Sequence, residues 1–248
     1  IQMSKKIIIL SGDPNSINSE LIFKSWKKIN NVTKKKIYFI SNFNLLKKQF
    51  KKLNYRVKLL KVKNIFDFPD DKRLKVVDIN LKFEKPFRVS KKNSAEFIKN
   101  SLDYAHNISL KNNVAGMINC PIDKTLLKKN KIGVTEYLAK KCNIKNNREV
   151  MLIWNEKFSV TPITTHIDIR EISKKINKNL IINKIKTLNR FFKERFKRKP
   201  RIGIMGLNPH NAELRNDSEE KKIIIPLISR LKNLGILVKG PYVQTQFL

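Results

Sequence analysis

The sequence predicts an α/β fold built on a mostly parallel sheet. Short, continuous apolar runs such as Lys6–Ser11, Lys36–Ile40 and Val114–Asn119 stop abruptly at turn residues, as strands buried on both faces do. Stretches with an apolar stripe at helical spacing lie between them. The two patterns alternate along the chain, which is the signature of strand–helix units that stack side by side.

Taken in order, Lys6–Ser11 reads as a strand ended by Gly12-Asp13-Pro14. Asn18–Ile29 reads as a helix, with Leu21, Ile22, Trp26 and Ile29 on one stripe. Lys36–Ile40 is a second strand, Leu45–Leu53 a second helix, and the alternating Arg56–Val62 a third strand. Lys63–Lys85 is irregular, with room for short strands, and Ser90–Ser109 is a long helix. After the strand Val114–Asn119, helices are predicted over Lys124–Lys129 and Thr135–Cys142. Met151–Trp154 and Phe158–Ile163 flank Asn155-Glu156-Lys157 as a hairpin. Helices over Ile169–Ile176 and Leu180–Lys197 precede a strand at Ile202–Gly206. Ser218–Leu234 is the last helix, with Asp217 and Glu220 in capping-box spacing, and Ile236–Lys239 opens a final strand.

The 248 residues can bury a sizeable core, and no apolar run reaches the roughly 20 residues of a membrane span. A cytoplasmic protein is expected. Two distant cysteines, Cys120 and Cys142, fit reduced thiols rather than a disulfide scaffold. The formal charge of +34 invites a polyanion-binding reading. Yet 43 of the 54 basic residues are lysines scattered over the whole length, and only Phe192–Arg201 is densely basic. The charge is read as compositional, and nucleic acid is not expected as a partner.

Open α/β sheets place ligands beyond the carboxyl ends of their strands. Four polar strand ends stand out: SGDPNSINSE, NCPIDK, PITTHIDIRE and GLNPHNAE. Two of the three histidines, His166 and His210, lie in them, while His106 sits inside a helix. Each could be a satisfied structural histidine, or the pair could hold a zinc-like ion, with Asp168 as a further ligand or as an acceptor that orients an imidazole. Lys124, after a strand end, is a candidate partner for a phosphate. The chain has no GxGxxG loop, no Walker A loop and no GxSxG elbow.

The blocks ITTHIDIREI and IGIMGLNPHNAE, followed by SEEKKIIIPLI, resemble 4-hydroxythreonine-4-phosphate dehydrogenases of pyridoxal phosphate synthesis. SGDPNSINSE, VSKKNSAEFI, INCPIDKTLL and KGPYVQTQFL fit further blocks of that family in order. The resemblance implies a two-domain fold like that of isopropylmalate and isocitrate dehydrogenases, with residues 3–118 and 119–248 as the domains and a C-terminal part missing from this chain. It implies a homodimer with a shared active site, NAD or NADP, and a divalent metal such as zinc, magnesium or cobalt. By the same resemblance His166 and His210 are metal ligands, and Thr135 contacts a phosphorylated substrate. The implied reaction oxidises and decarboxylates 4-phosphohydroxy-threonine to 3-amino-2-oxopropyl phosphate. A third ligand histidine lies beyond the matching blocks, so this chain alone is expected to be inactive. Val134, Ser16, Asn18 and Ala212 depart from the family pattern, which leaves a threonate- or erythronate-4-phosphate type of substrate as the alternative.

Overall fold

The computed structural model describes residues 5–67, 71–111, 113–127, 133–145, 148–165 and 167–243. The chain divides into two compact units, 1–134 and 135–248. The sequence reading set the division at 118/119. The Lys124–Leu127 turn stays with the first unit because it packs against the long helix there, burying Leu126.

The first unit holds five parallel strands: β1 (Lys6–Leu10), β2 (Ile37–Ser41), β3 (Leu59–Val62), β4 (Leu74–Asp78) and β5 (Val114–Asn119). Their order across the sheet is β3-β4-β2-β1-β5. Side chains alternate between its two faces. Ile37, Phe39, Leu74 and Val76 pack on one face against Ile22, Phe23 and Trp26 of α1 (Asn18–Lys28) and Leu46 and Phe50 of α3 (Phe43–Lys52). The fully buried Ile8 and Ile40 lie at the alternate positions, and α4 (Lys91–Ser109) packs against β1, β2 and β5, burying Phe97, Ile98, Leu102 and Ala105. Asn42 and Ser90 cap α3 and α4 by accepting the amides of Leu45 and Asn93.

One element was not expected in this unit. A short helix, α2 (Asn31–Lys36), precedes β2; it buries nothing, so no apolar stripe announced it, and its Asn30 cap holds its start. The irregular region, which had room for short strands, does hold one: β4, an inner strand whose apolar pattern is broken by the buried Lys75. Lys75 and Lys6 place their Nζ atoms 5.0 and 4.7 Å from the centre of the Tyr38 ring. Lys6 donates to the Ile65 carbonyl at 2.5 Å and Lys75 to the Lys34 carbonyl at 3.0 Å. Burial, with the neighbouring Lys75 ammonium, pulls Lys6 down to about 8. Burial also raises Tyr38, to about 12.

These shifts set a pH dependence. Below pH 8 the folded protein must keep Lys6 charged in a poorly solvated place. From pH 8 towards the ordinary lysine value the folded state sheds that proton while the unfolded state keeps it, so stability rises. Above about pH 10 the unfolded tyrosine ionises while Tyr38 does not, and stability falls again. The Cys120 thiol, which burial raises to about 11, adds to the fall from about pH 9, so urea unfolding across this range should show a maximum between about pH 9 and 10, and Lys6→Met should flatten the rising limb. A monotonic fall from pH 8 in the native protein would contradict the assignment.

The second unit begins with α5 (Val134–Lys141). The expected hairpin reduces to a single antiparallel bridge, Ile153 with Val160. Then come α6 (Ile169–Lys175), α7 (Lys178–Phe196), β6 (Ile202–Met205), α8 (Ile225–Asn233) and β7 (Val238–Tyr242), with β6 and β7 parallel. Ile181, Ile182 and Ile185 of α7 and Leu227, Ile228 and Leu231 of α8 form one core with Ile204 and Val238. Among the described residues no helix is long and apolar enough to cross a membrane.

Candidate functional site

In the first unit, strand order reverses between β1 and β5, the place where an open α/β sheet offers a crevice. The loop after β1 is drawn inward there. Asn18 donates to the Pro121 carbonyl at 2.8 Å, and the Asp13 amide donates to the same oxygen at 3.2 Å. Asn15 exchanges two hydrogen bonds with the backbone of Val89, each 2.8 Å. The amides of Asn15 and Ser16 turn back onto Asp13. This loop therefore spends its donors on itself and on the β5 end, and it does not present them as a phosphate cradle. Burial pushes the Cys120 thiol up to about 11, so it is protonated at neutral pH and a poor nucleophile. Lys124 is exposed on a short 3₁₀ turn, Lys124–Leu127, where a longer helix was expected; Lys128 and Lys129 lie outside the described residues.

In the second unit, Thr135 is exposed in the first turn of α5, with the half-buried Val134 before it. Asp168 caps α6: its Oδ1 accepts the Arg170 amide at 3.0 Å, and its side chain is exposed. His166, two residues earlier, lies outside the described residues, so the expected approach of His166 and His210 has no geometry here. Among the described residues, no three His, Cys, Asp or Glu side chains group to hold a metal.

His210 sits just beyond β6 and is exposed. Its backbone is unusual. His210, Asn211, Ala212, Glu213 and Leu214 all have φ between +48° and +56°, one continuous left-handed turn without a glycine. Each such residue costs on the order of 1–2 kcal/mol, so neighbouring contacts must hold the turn. The Asn211 amide donates to the Asn208 carbonyl at 3.1 Å, and the Asn211 side chain donates to the Pro241 carbonyl at 3.2 Å. Gly206 makes room for this: a Cβ there would strike the Asn211 Oδ1.

The other holder is Glu220, and it corrects the sequence reading. Glu220 does not complete a capping box with Asp217. The helix start is served by Ser218, whose Oγ accepts the Lys221 amide at 3.3 Å. A π turn, Glu220–Ile224, leads into α8. The fully buried Glu220 carboxylate reaches back to accept the amides of Leu207 at 2.7 Å and Asn208 at 2.8 Å. Burial opposes its charge, but the Asn208 and Leu207 donors outweigh it and hold the carboxyl below its ordinary value.

Ala212 occupies a left-handed position, with φ +48°. Ala212→Gly should therefore raise stability by roughly 0.5–1 kcal/mol, the left-handed penalty less glycine's greater freedom when unfolded. Thermal unfolding would show it; a loss of stability would mean that the turn is not left-handed at this residue.

The sequence model described as "Pyridoxal phosphate biosynthetic protein PdxA" matches residues 17–247. The chain is 30% identical over 245 residues to a 4-hydroxythreonine-4-phosphate dehydrogenase of Sulfurihydrogenibium sp. (strain YO3AOP1), covering 95% of this chain and 73% of that protein. It is 32% identical over 247 residues to the enzyme of that name from Aquifex aeolicus (strain VF5), covering 97% and 75%. The crystal structure of 4-hydroxythreonine-4-phosphate dehydrogenase from Klebsiella pneumoniae superposes with a TM-score of 0.83 at 26% identity, over 96% of this chain and 75% of that one. The fold is thus the isopropylmalate/isocitrate-dehydrogenase-like α/β architecture that the resemblance implied, and the chain belongs to the PdxA family of pyridoxal phosphate biosynthetic proteins, whose matched members are dehydrogenases.

Proposed function

We propose that this chain works as a 4-hydroxythreonine-4-phosphate dehydrogenase in vitamin B6 synthesis. It would oxidise the secondary alcohol of 4-phosphohydroxy-threonine with NAD or NADP, and the β-keto acid so formed would lose CO2 to give 3-amino-2-oxopropyl phosphate. The observation that supports this best is the family match over 17–247, which includes the strand end where the exposed His210 stands on a braced backbone. An exposed imidazole with a fixed backbone fits zinc, cobalt or a similar divalent ion. His210 and His166 would hold that ion, and Asp168 would be the acceptor that orients an imidazole. When bound, the ion would supply positive charge for a developing alkoxide, and the nicotinamide cofactor would supply a hydride acceptor.

Thr135 would contact the substrate through its hydroxyl, and Lys124 would offer its ammonium to the phosphate. No described residue is assigned to the nicotinamide cofactor. The homodimer reading is supported by an apolar group in the second unit: Met151, Ile153, Trp154, Phe158 and Val160 are each 45–61% exposed. Val134 favours a second reading, a phospho-sugar-acid dehydrogenase, because an apolar side chain beside Thr135 would reshape contacts to the substrate.

The test is an assay of the natural gene product with NAD and NADP, in zinc, magnesium or cobalt. Nicotinamide reduction with CO2 release from 4-phosphohydroxy-threonine, stopped by a chelator, is the expected result. Turnover of threonate or erythronate 4-phosphate alone would select the second reading, and turnover of none would defeat both.

A further inference from the structure

We propose that Glu220 is a positioning residue that holds His210 where it can bind a ligand. The role given to His210 rests on the reading above; the role given to Glu220 rests on geometry. Its carboxylate is fully buried, and amide groups rather than a cation hold it. Three N–H donors converge on it instead. Oε1 takes the amides of Leu207 and Asn208, and Oε2 takes the Asn208 side chain at 3.1 Å. Glu219 takes the same side-chain nitrogen at 2.9 Å. Both Glu220 oxygens thus accept from the protein, and the buried carboxylate is turned towards the chain before His210.

What the carboxylate fixes is the chain just before His210. Only Pro209 separates Asn208 from His210, and its ring locks φ, so the position of Asn208 is passed on stiffly. On the far side Asn211 is tied to the Pro241 carbonyl. His210 is therefore bracketed by two anchors, one from the start of the α8 region and one from β7. The left-handed run beginning at His210 would otherwise relax towards ordinary backbone. A neutral amide at 220 could keep the bonds to the two backbone amides. Its NH2 would face the Asn208 nitrogen until that side chain turned over, so glutamine should rescue only in part.

Two measurements on the natural gene product test this. The first is amide hydrogen exchange without added metal. Glu220→Ala should speed exchange in 207–214 at least tenfold, with Leu227–Leu231 of α8 unchanged. The second is calorimetric titration with zinc alone. Glu220→Ala should weaken binding by roughly 10–100-fold, as loss of a group supporting a metal ligand does. Glu220→Gln should fall between native and alanine in both, and it carries the same readouts should Glu220→Ala fail to fold. Unchanged exchange in 207–214 would overturn the brace. Faster exchange with native zinc affinity would overturn the positioning role. His210→Ala separates the two layers of the argument: if that variant binds zinc as the native protein does, the ligand reading of His210 fails, and with it the link from Glu220 to metal, whatever the exchange data show.

Discussion

His210→Ala should lower metal-dependent oxidation by about a thousandfold or more while leaving the fold intact. The size follows from the several kcal/mol of charge stabilisation that a bound ion gives to a developing alkoxide, at 1.36 kcal/mol per tenfold in rate. The fold should survive because the imidazole is exposed and the turn is anchored elsewhere, at Asn208 and Asn211. Replacement of an exposed side chain usually changes stability by less than about 0.5 kcal/mol. The measurement is the rate of nicotinamide reduction at saturating zinc or cobalt, alongside urea unfolding of both proteins. His166→Ala is expected to match it. A His210→Ala protein that keeps its metal-dependent rate within about tenfold would end the metal-ligand reading.

Gly12→Ala should cost about 3 kcal/mol of stability in the first unit. Gly12 has φ +70°, and an added Cβ would lie 2.6 Å from the Pro121 carbonyl oxygen and 2.9 Å from that of Cys120. The left-handed backbone accounts for roughly 1–2 kcal/mol and the overpacking for roughly 1–3. Relief is difficult, because the obstacles are backbone oxygens of a segment tied to β1 by the Cys120 amide and to the loop through Asn18. Urea unfolding would show the loss; a change below about 0.5 kcal/mol would mean that the loop and the β5 end do not approach as described.

The contrast between these two sites shows how unevenly the sequence speaks. β1 and β2 were legible because strands inside a parallel sheet read as unbroken apolar runs; β5 carries the same pattern but lies at the sheet edge and is largely exposed, against the expectation of burial on both faces. α4 was legible from its stripe and its Ser90 cap. α2 was not, since its six residues bury nothing and carry no periodicity. β4 was obscured by Lys75, which belongs in a buried strand only because the distant Tyr38 ring and Lys34 carbonyl, with the nearby Asp71 carbonyl, receive its ammonium. The hairpin reading held only in reduced form: its apolar alternation was real, but the pairing is a single antiparallel bridge, Ile153 with Val160.

At the candidate site the sequence marked His210 and its strand end, and it marked Glu220 for the wrong task. A Glu three residues after an Asp matches a helix cap by local spacing alone. Its actual partners are Leu207 and Asn208, thirteen and twelve residues back. By itself the sequence determined the order of strands and helices, the polar strand ends and the family. Those features are written at spacings of two to four residues, where backbone geometry sets the period. Only the tertiary structure decided the strand order, the left-handed turn at His210 and the carboxylate that braces it. Each depends on groups far apart in the chain exchanging water for one another, and a buried charge such as Glu220 is tolerable only where its donors have already been assembled.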